Sequence, residues 1–327
     1  MTTLNQFLSE RTFDTRAVLR ILAILIGLIV LASAFSNGIF LQPKNLINLI
    51  YQNSVLILVA LGQLLVIVTA GIDLSVGAVM AVSTVLFVLY HDYGLVAAFV
   101  IALLGAALFG LINGALVTFI KLPAFVVTLA TMQIGYSISK ILSDIGGSGG
   151  GTVYNSLRGA VLPTNLSDFY KASVWGIPYP LFICLAFLIL AGLYLRTSPG
   201  HFIFPVGGNE RAAILSGLPV RMVKMLVYLI SSMLACVAGI LFVARVGLGD
   251  PQAGTWIGLD SIAAASIGGA SLSGGIGTVL GTLIGVVILS VLNNIMNLLG
   301  VPPTMQPAIK GIVILLAVYL NSTKKQN

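Results

Sequence analysis

Uncharged apolar segments long enough to cross a membrane recur from one end of this chain to the other. A helix needs about 20 apolar residues to cross a hydrocarbon layer roughly 30 Å thick. Of the 327 residues, 58% are hydrophobic and only 8% are charged, which is more apolar material than the core of one soluble domain needs. The alternating strands of a membrane barrel are absent from the pattern. The sequence therefore predicts an all-α polytopic membrane protein.

The apolar pattern predicts ten transmembrane helices. The eighth is short and rich in alanine and glycine, so it is the weakest match to a full crossing. The spans form a single predicted transmembrane domain over residues 1–327, with a predicted external loop at 144–177 and a predicted cytoplasmic loop at 197–221. They cover residues 18–36, 46–69, 74–91, 95–120, 123–143, 178–196, 222–245, 257–271, 276–299 and 305–321.

The lysines and arginines indicate the orientation of the spans. With the N-terminus inside, ten of the 16 fall in inner segments, four in outer segments and two within spans, which favours two cytoplasmic termini. The first span also has the pattern of a cleavable signal peptide. Its removal would upset the asymmetry of basic residues between inner and outer segments, so an uncleaved first helix is predicted. The inner set is Arg11, Arg16, Arg20, Lys121, Arg196, Arg211, Arg221, Lys224, Lys324 and Lys325; the outer set is Lys44, Arg158, Lys171 and Arg245; Lys140 and Lys310 lie within spans.

An internal repeat relates residues 45–143 to residues 222–321. The string beginning Gly71-Ile72-Asp73 recurs as Gly258-Leu259-Asp260, so that spans two to five correspond to spans seven to ten. Because five spans separate corresponding elements, the two halves must lie in opposite orientations, as in many transporters. The alternative is a chance match between short glycine-rich strings.

Several kinds of chemistry find no support in the sequence. No Gly-x-x-x-x-Gly-Lys-Ser/Thr string occurs, so ATP and Mg²⁺ would have to be bound by a partner chain. His91 and His201 have no partners at ligand spacing, and no metal site or other cofactor is predicted. The basic residues form no patch of the kind that binds nucleic acid. Cys184 and Cys236 lie in apolar spans and are interpreted as packing residues.

Four charged residues at or within spans need a partner, a cap or water, because a charge at the bilayer centre costs about 2.5 to 3.5 kcal/mol. Asp73 and Asp260 each lie where one span gives way to the next, which favours a role as helix N-caps. Lys140 and Lys310 lie near span ends, from which their side chains can extend to the surface.

Polar residues within spans are the candidates for a transport pathway. Interhelical hydrogen bonds are the alternative interpretation. Amide and hydroxyl groups without an acidic or basic relay suit a neutral, hydroxyl-rich solute better than an ion. Glycines spaced four apart, Gly277, Gly281 and Gly285 in one half and Gly110 and Gly114 in the other, are interpreted as helix-packing faces. The pathway candidates are Asp73, Ser75, Asn113, Thr128, Gln133, Asn293, Asn297 and Gln306.

A polar island at residues 207–221 interrupts the apolar chain on the predicted inner side. Gly217 and Pro219 predict a helix that ends within it. It is either a contact site for a cytoplasmic partner or an ordinary loop.

Three segments together resemble the membrane subunits of ribose-type monosaccharide ABC importers, over roughly residues 40–320. They are Gly71-Ile72-Asp73-Leu74-Ser75-Val76-Gly77, Gly207-Gly208-Asn209 with Ala212-Ala213 and Ser216-Gly217, and Gly268-Gly269-Ala270-Ser271-Leu272-Ser273-Gly274-Gly275. The first string alone is also similar to amino-acid and nucleoside permeases. Arg211, Pro219 and the glycine tract at 146–151 are departures from the family pattern that leave the solute open.

The resemblance implies a homodimer in membrane lipid, two ATP-binding cassette subunits beneath it and a soluble sugar-binding protein outside. It also implies that short coupling helices bind the ATPase. The residues it assigns to this contact are Gly208, Asn209, Glu210, Ala213, Ser216 and Gly217.

We therefore expect a non-enzymatic permease subunit of the bacterial inner membrane that carries a monosaccharide such as ribose. The alternatives are a secondary transporter or facilitator, an ABC permease for a nucleoside or a branched-chain amino acid and, more remotely, an intramembrane enzyme.

Overall fold

The structure, a computed structural model, describes residues 15–145, 147, 149–154, 164–175 and 177–322. Each of the ten predicted spans coincides with one helix, so the all-α prediction is confirmed. Arg11, Arg158, Lys324 and Lys325 from the charge count, and Gly146 and Ser148 from the glycine tract, lie outside the described residues. The ten helices are α1 Thr15–Phe35, α2 Pro43–Val68, α3 Val76–Tyr90, α4 Leu95–Thr118, α5 Ala124–Ile145, α7 Tyr179–Tyr194, α11 Val220–Val246, α12 Ile257–Ile267, α13 Val279–Leu298 and α14 Gln306–Ser322.

Shorter elements fill the connections between these helices. The strand β1, Val153–Tyr154 in the external loop, pairs antiparallel with β4, Leu248–Gly249 in the loop after α11. The strand β2, Ser173–Val174, pairs antiparallel with β3, Ile177–Pro178. Between α7 and α11 the chain forms three short helices instead of an irregular loop. The short elements are the 3₁₀ turns Ile39–Leu41 and His91–Tyr93, the helices α6 Thr164–Lys171, α8 Ser198–His201, α9 Ile203–Gly208 and α10 Glu210–Leu215, and the strands β1 Val153–Tyr154, β2 Ser173–Val174, β3 Ile177–Pro178 and β4 Leu248–Gly249.

Not every predicted span is long enough to cross a membrane alone. Among the described residues, six helices are long and apolar enough, and a seventh span results if α7 is joined to 198–208 across a bend of 82°. The helix α12 has 11 residues and is therefore about 16 Å long, roughly half the hydrocarbon thickness. A crossing by the eighth span, which stays a prediction, would need non-helical chain on either side of α12.

Two long helices, α2 and α11, form the centre of the molecule and cross in opposite directions. The backbones approach closely where Gly62 meets Ser231, because a Cβ on that glycine would lie 2.9 Å from the Ser231 Cα. The first-half helix α2 packs against α12 and α13 of the second half, and the second-half helix α11 packs against α3 and α4 of the first. This reciprocal packing is what two related halves would produce.

The predicted glycine faces are confirmed as packing surfaces. A Cβ at Gly281 or Gly285 would collide with the backbone at the end of α12, at Gly268 or Ala264. In the other half, a Cβ at Gly110 would lie 2.7 Å from the Cα of Leu229 in α11, and Gly114 faces the same helix. Gly277 lies outside the helix, since α13 begins at Val279. Helices in lipid gain little from the hydrophobic effect when they associate. The van der Waals packing that close backbone approach allows therefore stabilises these contacts.

The two Gly-x-Asp motifs do not occupy equivalent positions, which corrects the alignment drawn from the sequence. Asp73 lies three residues before α3, whereas Asp260 lies inside the first turn of α12, whose N-cap residue is Trp256. Aligning the helix starts instead places Gly77 opposite Gly258. The N-cap prediction for Asp260 is therefore wrong. In the first half the N-cap residue of α3 is Ser75, and Asp73 accepts hydrogen bonds from it.

Candidate functional site

Two cavities lie at opposite ends of the antiparallel pair α2 and α11. The outer cavity, of about 780 Å³, is lined by Gln52 of α2 and Arg245 at the end of α11. The inner cavity, of about 740 Å³, is lined by Thr69 just past α2 and Lys224 in the first turns of α11. The names follow the predicted topology, which places the first end outside and the second end in the cytoplasm.

The wall of the outer cavity is rich in uncharged polar side chains. Amides and hydroxyls contribute both donors and acceptors, and the indole of Trp256, 59% exposed, adds a flat apolar surface. This combination suits a small solute that carries several hydroxyl groups. The amide and hydroxyl residues are Gln52, Asn53, Gln252, Thr255, Ser290 and Asn293.

An ion pair beside this cavity joins α12 to α14. The Nζ of Lys310 lies 2.9 Å from Oδ2 of Asp260, and the two side chains are only 19% and 18% exposed. The predicted extension of Lys310 toward the surface is therefore wrong, because the ammonium finds a carboxylate 50 residues away in sequence. The wall residues Arg245, Asp250 and Asp260, counted together with Lys310 just outside the wall, sum to a net charge of zero.

Breaking this ion pair should destabilise the protein. Lys310→Met leaves the Asp260 carboxylate largely buried without a cation. We therefore expect the free energy of unfolding to fall by about 2 to 3 kcal/mol. The double variant Asp260→Asn/Lys310→Met should regain most of that loss, because the uncompensated charge is gone. Thermal unfolding of the purified variants in detergent measures both. A double variant no more stable than the single one would contradict the pairing.

The loop at 247–256, which forms one side of the outer cavity, is held by helices of the first half. The main-chain N–H of Asp250 donates to Oγ1 of Thr84, 3.2 Å away, and the Thr84 hydroxyl lies 3.0 Å from the Asp250 carbonyl oxygen. The Ser139 hydroxyl of α5 donates to the carbonyl of Pro251 at 2.8 Å. Gly254, at φ +83°, packs against Gly77. The loop in the cavity wall is thus attached to α3 and α5 of the first half.

Asp73 is the centre of a buried hydrogen-bond network at the break between α2 and α3. Its Oδ1 accepts from the N–H of Ser75 at 2.9 Å and from the Ser75 hydroxyl at 2.6 Å, and its Oδ2 accepts from the Ser231 hydroxyl at 3.2 Å. Asn113 Nδ2 donates to the Ser75 hydroxyl at 2.8 Å, and the Thr131 hydroxyl donates to Oδ1 of the Asn113 side chain at 2.8 Å. The network connects α3, α4, α5 and α11.

Four of the predicted pathway residues therefore lie together, but outside the walls of both cavities. Asp73, Ser75, Asn113 and Thr128 are fully buried, and none of them belongs to the wall of either cavity. The Thr128 hydroxyl lies 3.1 Å from the carbonyl oxygen of Ile72, beside the same helix break. In this conformation the four residues hold the helix break in place by hydrogen bonds. This agrees with the alternative interpretation, in which polar residues within spans form interhelical hydrogen bonds. A role in the pathway stays a prediction.

The other four candidates are dispersed. Asn293 lines the outer cavity. Gln306 Nε2 donates to Asn297 Oδ1 at 2.9 Å and joins α14 to the outer end of α13, while Gln133 is exposed on α5. Between Asn293 and Asn297, Asn294 forms a reciprocal amide pair with Asn45, at 2.8 and 3.0 Å.

Most residues of the outer cavity were not among the sequence candidates. Gln52 and Asn53 form a polar pair inside an apolar span, and this signal could have identified them. The loop residues Gln252, Thr255 and Trp256 carry no comparable signal, because a polar loop between spans is the ordinary case.

Residues 207–217 of the polar island belong to a compact docked segment, residues 198–217, here called the coupling segment after its predicted role. Asn209 N-caps α10, since its Oδ1 accepts from the N–H of Ala212 at 3.0 Å. Gly217, at φ +76°, follows α10 in the left-handed region that glycine adopts readily. Gly207 packs directly on the backbone of Val68 at the end of α2, where any side chain would collide. The segment is thereby attached to the central helix.

The predicted coupling residues divide into an exposed and a buried set. Gly208, Asn209, Glu210, Ser216 and Gly217 are exposed, whereas Ala213 is buried and anchors α10 to the protein.

The exposed surface of α10 also carries two apolar side chains that the sequence analysis did not select. Ile214 is 57% exposed and Leu215 is 84% exposed. Glu210 pairs with Lys224 at 2.7 Å and ties α10 to α11. An apolar pair surrounded by polar groups is typical of a protein-contact surface.

Comparison with known proteins gives a consistent result along nearly the whole chain. A family profile described as branched-chain amino acid transport system / permease component matches residues 45–318. The ribose import permease protein RbsC of Bacillus subtilis (strain 168) is 39% identical over 91% of this chain and 92% of its own length, and that of Escherichia coli (strain K12) is 37% identical over 98% and 99%. The xylose transport system permease protein XylH of Haemophilus influenzae is 33% identical over 94% and 97%. No solved structure matches significantly. The chain therefore belongs to this permease family, together with the ribose import permeases.

Proposed function

We propose that this protein is the membrane-spanning subunit of an ATP-driven importer for a monosaccharide. The observation that carries the proposal is the outer cavity, whose wall combines amides, hydroxyls and an indole, while Lys310 beside the wall offsets the charge of Asp260. The relatives named for ribose and xylose import agree with that chemistry. As a multi-pass protein of the bacterial inner membrane, it would have both termini in the cytoplasm.

ATP would be hydrolysed by separate subunits. The chain has no phosphate-binding string of its own. The coupling segment offers the exposed face of α10, which ends in Leu215, as the surface that an ATP-binding cassette subunit contacts. Because Gly207 packs on the end of α2, movement of the segment would be transmitted to the central helix pair. A soluble sugar-binding protein would deliver the solute at the outer end.

The exposed face of α5 supports a homodimer. Gln133, Ser137 and Lys140 are all exposed and lie four and three residues apart, so they form one polar stripe along an apolar helix. Polar side chains within a membrane-spanning helix seldom face lipid and usually face a partner helix or water. A second copy packed across this stripe would pair the α5 helices of the two subunits.

Cysteine cross-linking tests the dimer. Ser137→Cys should give a cross-linked dimer in native membranes with a short bifunctional maleimide, because the polar stripes of two copies would face each other. Leu185→Cys, on the exposed surface of α7, is the matched control and should give none. The native Cys184 and Cys236 are buried and should not react. Equal cross-linking at both positions, or none at Ser137, would contradict this interface.

Purification in mild detergent tests the importer assignment against the secondary-transporter alternative. The tagged chain, expressed with its neighbouring transport genes, should purify with a stoichiometric subunit that binds ATP through a Gly-x-x-x-x-Gly-Lys-Ser/Thr string. A chain that purifies without such a subunit and still supports solute uptake would favour the facilitator. Competition by ribose, xylose, leucine and adenosine for uptake separates the sugar proposal from the amino-acid and nucleoside alternatives.

A further inference from the structure

The inner cavity differs from the outer one in its charge. Four charged side chains line it: Lys121, Arg221, Lys224 and Glu210. Glu210 forms an ion pair with Lys224 at 2.7 Å. Within the described part of the chain neither Lys121 nor Arg221 has an ion-pair partner. The cavity therefore carries two positive charges that the protein does not neutralise.

Local structure holds both cations at the cavity. Lys121 has φ +61°, in the left-handed region that residues other than glycine seldom adopt, in the tight turn between α4 and α5. Such strain persists where the surroundings enforce it, often at ligand sites. The guanidinium carbon of Arg221 lies 5.9 Å from the centre of the Phe119 ring, within the range of a cation–π contact.

A buried hydroxyl in the same wall lacks a partner. The side chain of Tyr228 is 1% exposed, and its hydroxyl has no hydrogen bond within the described residues. It lies beside Gly71, which also lines the cavity. Because buried polar groups are almost always hydrogen-bonded, this donor is available to a ligand oxygen.

The rim of the cavity is apolar and continues along the membrane-facing surface. Phe119, Ile120, Leu122 and Met222 are exposed around the two cations. From there the exposed face of α4 is entirely aliphatic toward the other side of the membrane, with Leu104, Leu108, Leu111 and Ile112. A ligand that fits both parts has an anionic head and hydrocarbon chains.

We propose that the inner cavity binds the phosphate group of an anionic phospholipid of the cytoplasmic leaflet. The phosphate lies between Lys121 and Arg221, the Tyr228 hydroxyl donates to a headgroup oxygen, and the acyl chains follow the exposed face of α4. Arginine and lysine at the cytoplasmic surface favour lipids with a net negative charge over zwitterionic lipids that carry the same phosphate. This site does not depend on which solute the protein carries.

Native mass spectrometry of the full-length protein, after exchange into detergent with phosphatidylglycerol or phosphatidylcholine, tests the proposal. The wild-type protein should retain phosphatidylglycerol preferentially. Lys121→Gln and Arg221→Gln should each weaken its retention about fivefold, and the double variant about thirtyfold. The matched control Arg196→Gln removes an exposed cation on the same predicted side, outside the cavity, and should leave retention unchanged. Tyr228→Phe, which deletes only the hydroxyl, should weaken retention with little risk to folding.

Three results would overturn the proposal. The first is equal retention of the two lipids by the wild-type protein, or an equal loss in Arg196→Gln, since the attraction would then be general. The second is full displacement of phosphatidylglycerol by inorganic phosphate, which would mean a site for free phosphate. The third is a double variant that keeps the lipid but loses its ATP-binding subunit, since the two cations would then belong to a protein contact.

Discussion

Asp73→Ala should destabilise the protein by about 3 to 4 kcal/mol, enough to remove most of the folded protein from detergent extracts. The carboxylate accepts hydrogen bonds from the Ser75 N–H, the Ser75 hydroxyl and the Ser231 hydroxyl, in a site with no access to solvent. Alanine leaves these donors without an acceptor at the break between α2 and α3. The yield of monodisperse protein and the midpoint of thermal unfolding measure the effect.

Two control variants identify the cause. Asp73→Asn keeps an acceptor for Ser75 and can donate to the Ser231 hydroxyl, so it should retain most of the stability. Asp168→Ala removes an exposed carboxylate from α6 and should change stability by less than about 0.5 kcal/mol. If Asp73→Asn were as unstable as Asp73→Ala, the negative charge rather than hydrogen bonding would be the essential property. A stable Asp73→Ala would contradict the structural role of the network.

Leu215→Asp should abolish ATP-driven uptake without unfolding the protein. Leu215 is 84% exposed at the end of α10, so a charge there costs the isolated subunit little. At the centre of an apolar contact the same charge should cost about 2 kcal/mol or more, which weakens attachment of the ATP-binding subunit about thirtyfold. Co-purification of that subunit and uptake in membrane vesicles report the loss.

Leu215→Met is the matched control for this prediction, because it keeps the apolar surface and should keep both attachment and uptake. Leu299→Asp places the same charge at an exposed leucine past the far end of α13 and should leave the ATP-binding subunit attached. If Leu215→Asp transports normally, the exposed face of α10 is not the coupling surface.

The helices could be predicted from the sequence because the length of an apolar run is a local property. The predicted span 95–120 is the helix Leu95–Thr118, and 222–245 is Val220–Val246. Glycine spacing predicted the close faces at Gly110 and Gly281 for the same reason, since residues four apart share a helix face wherever the helix packs. Even the short eighth span was recognisable from its composition.

The partners of polar residues could not be predicted, because they come from distant parts of the chain. The cost of burying Lys310 is evident from its position in a span, but its carboxylate partner is 50 residues away. Asn293 and Asn297 share a face by spacing, yet one lines a cavity and the other contacts Gln306. What opposes a helix face depends on tertiary packing, which a single sequence does not contain.

The same limit applies to the charge distribution. The charge count predicts which loops are inside, and that orientation stays a prediction. It could not separate Lys224, paired with Glu210, from Arg221, which faces a cavity without an ion-pair partner among the described residues. Local pairing thus decides which charges remain available to a ligand.

Solute uptake into liposomes tests the importer assignment most directly. The purified chain would be reconstituted with its ATP-binding subunit and its sugar-binding protein, and uptake of labelled ribose would be followed. We expect accumulation against a gradient only when both partners and ATP are present, and none from the chain alone. Full uptake by the chain alone, without ATP, would contradict the assignment and identify the protein as a facilitator.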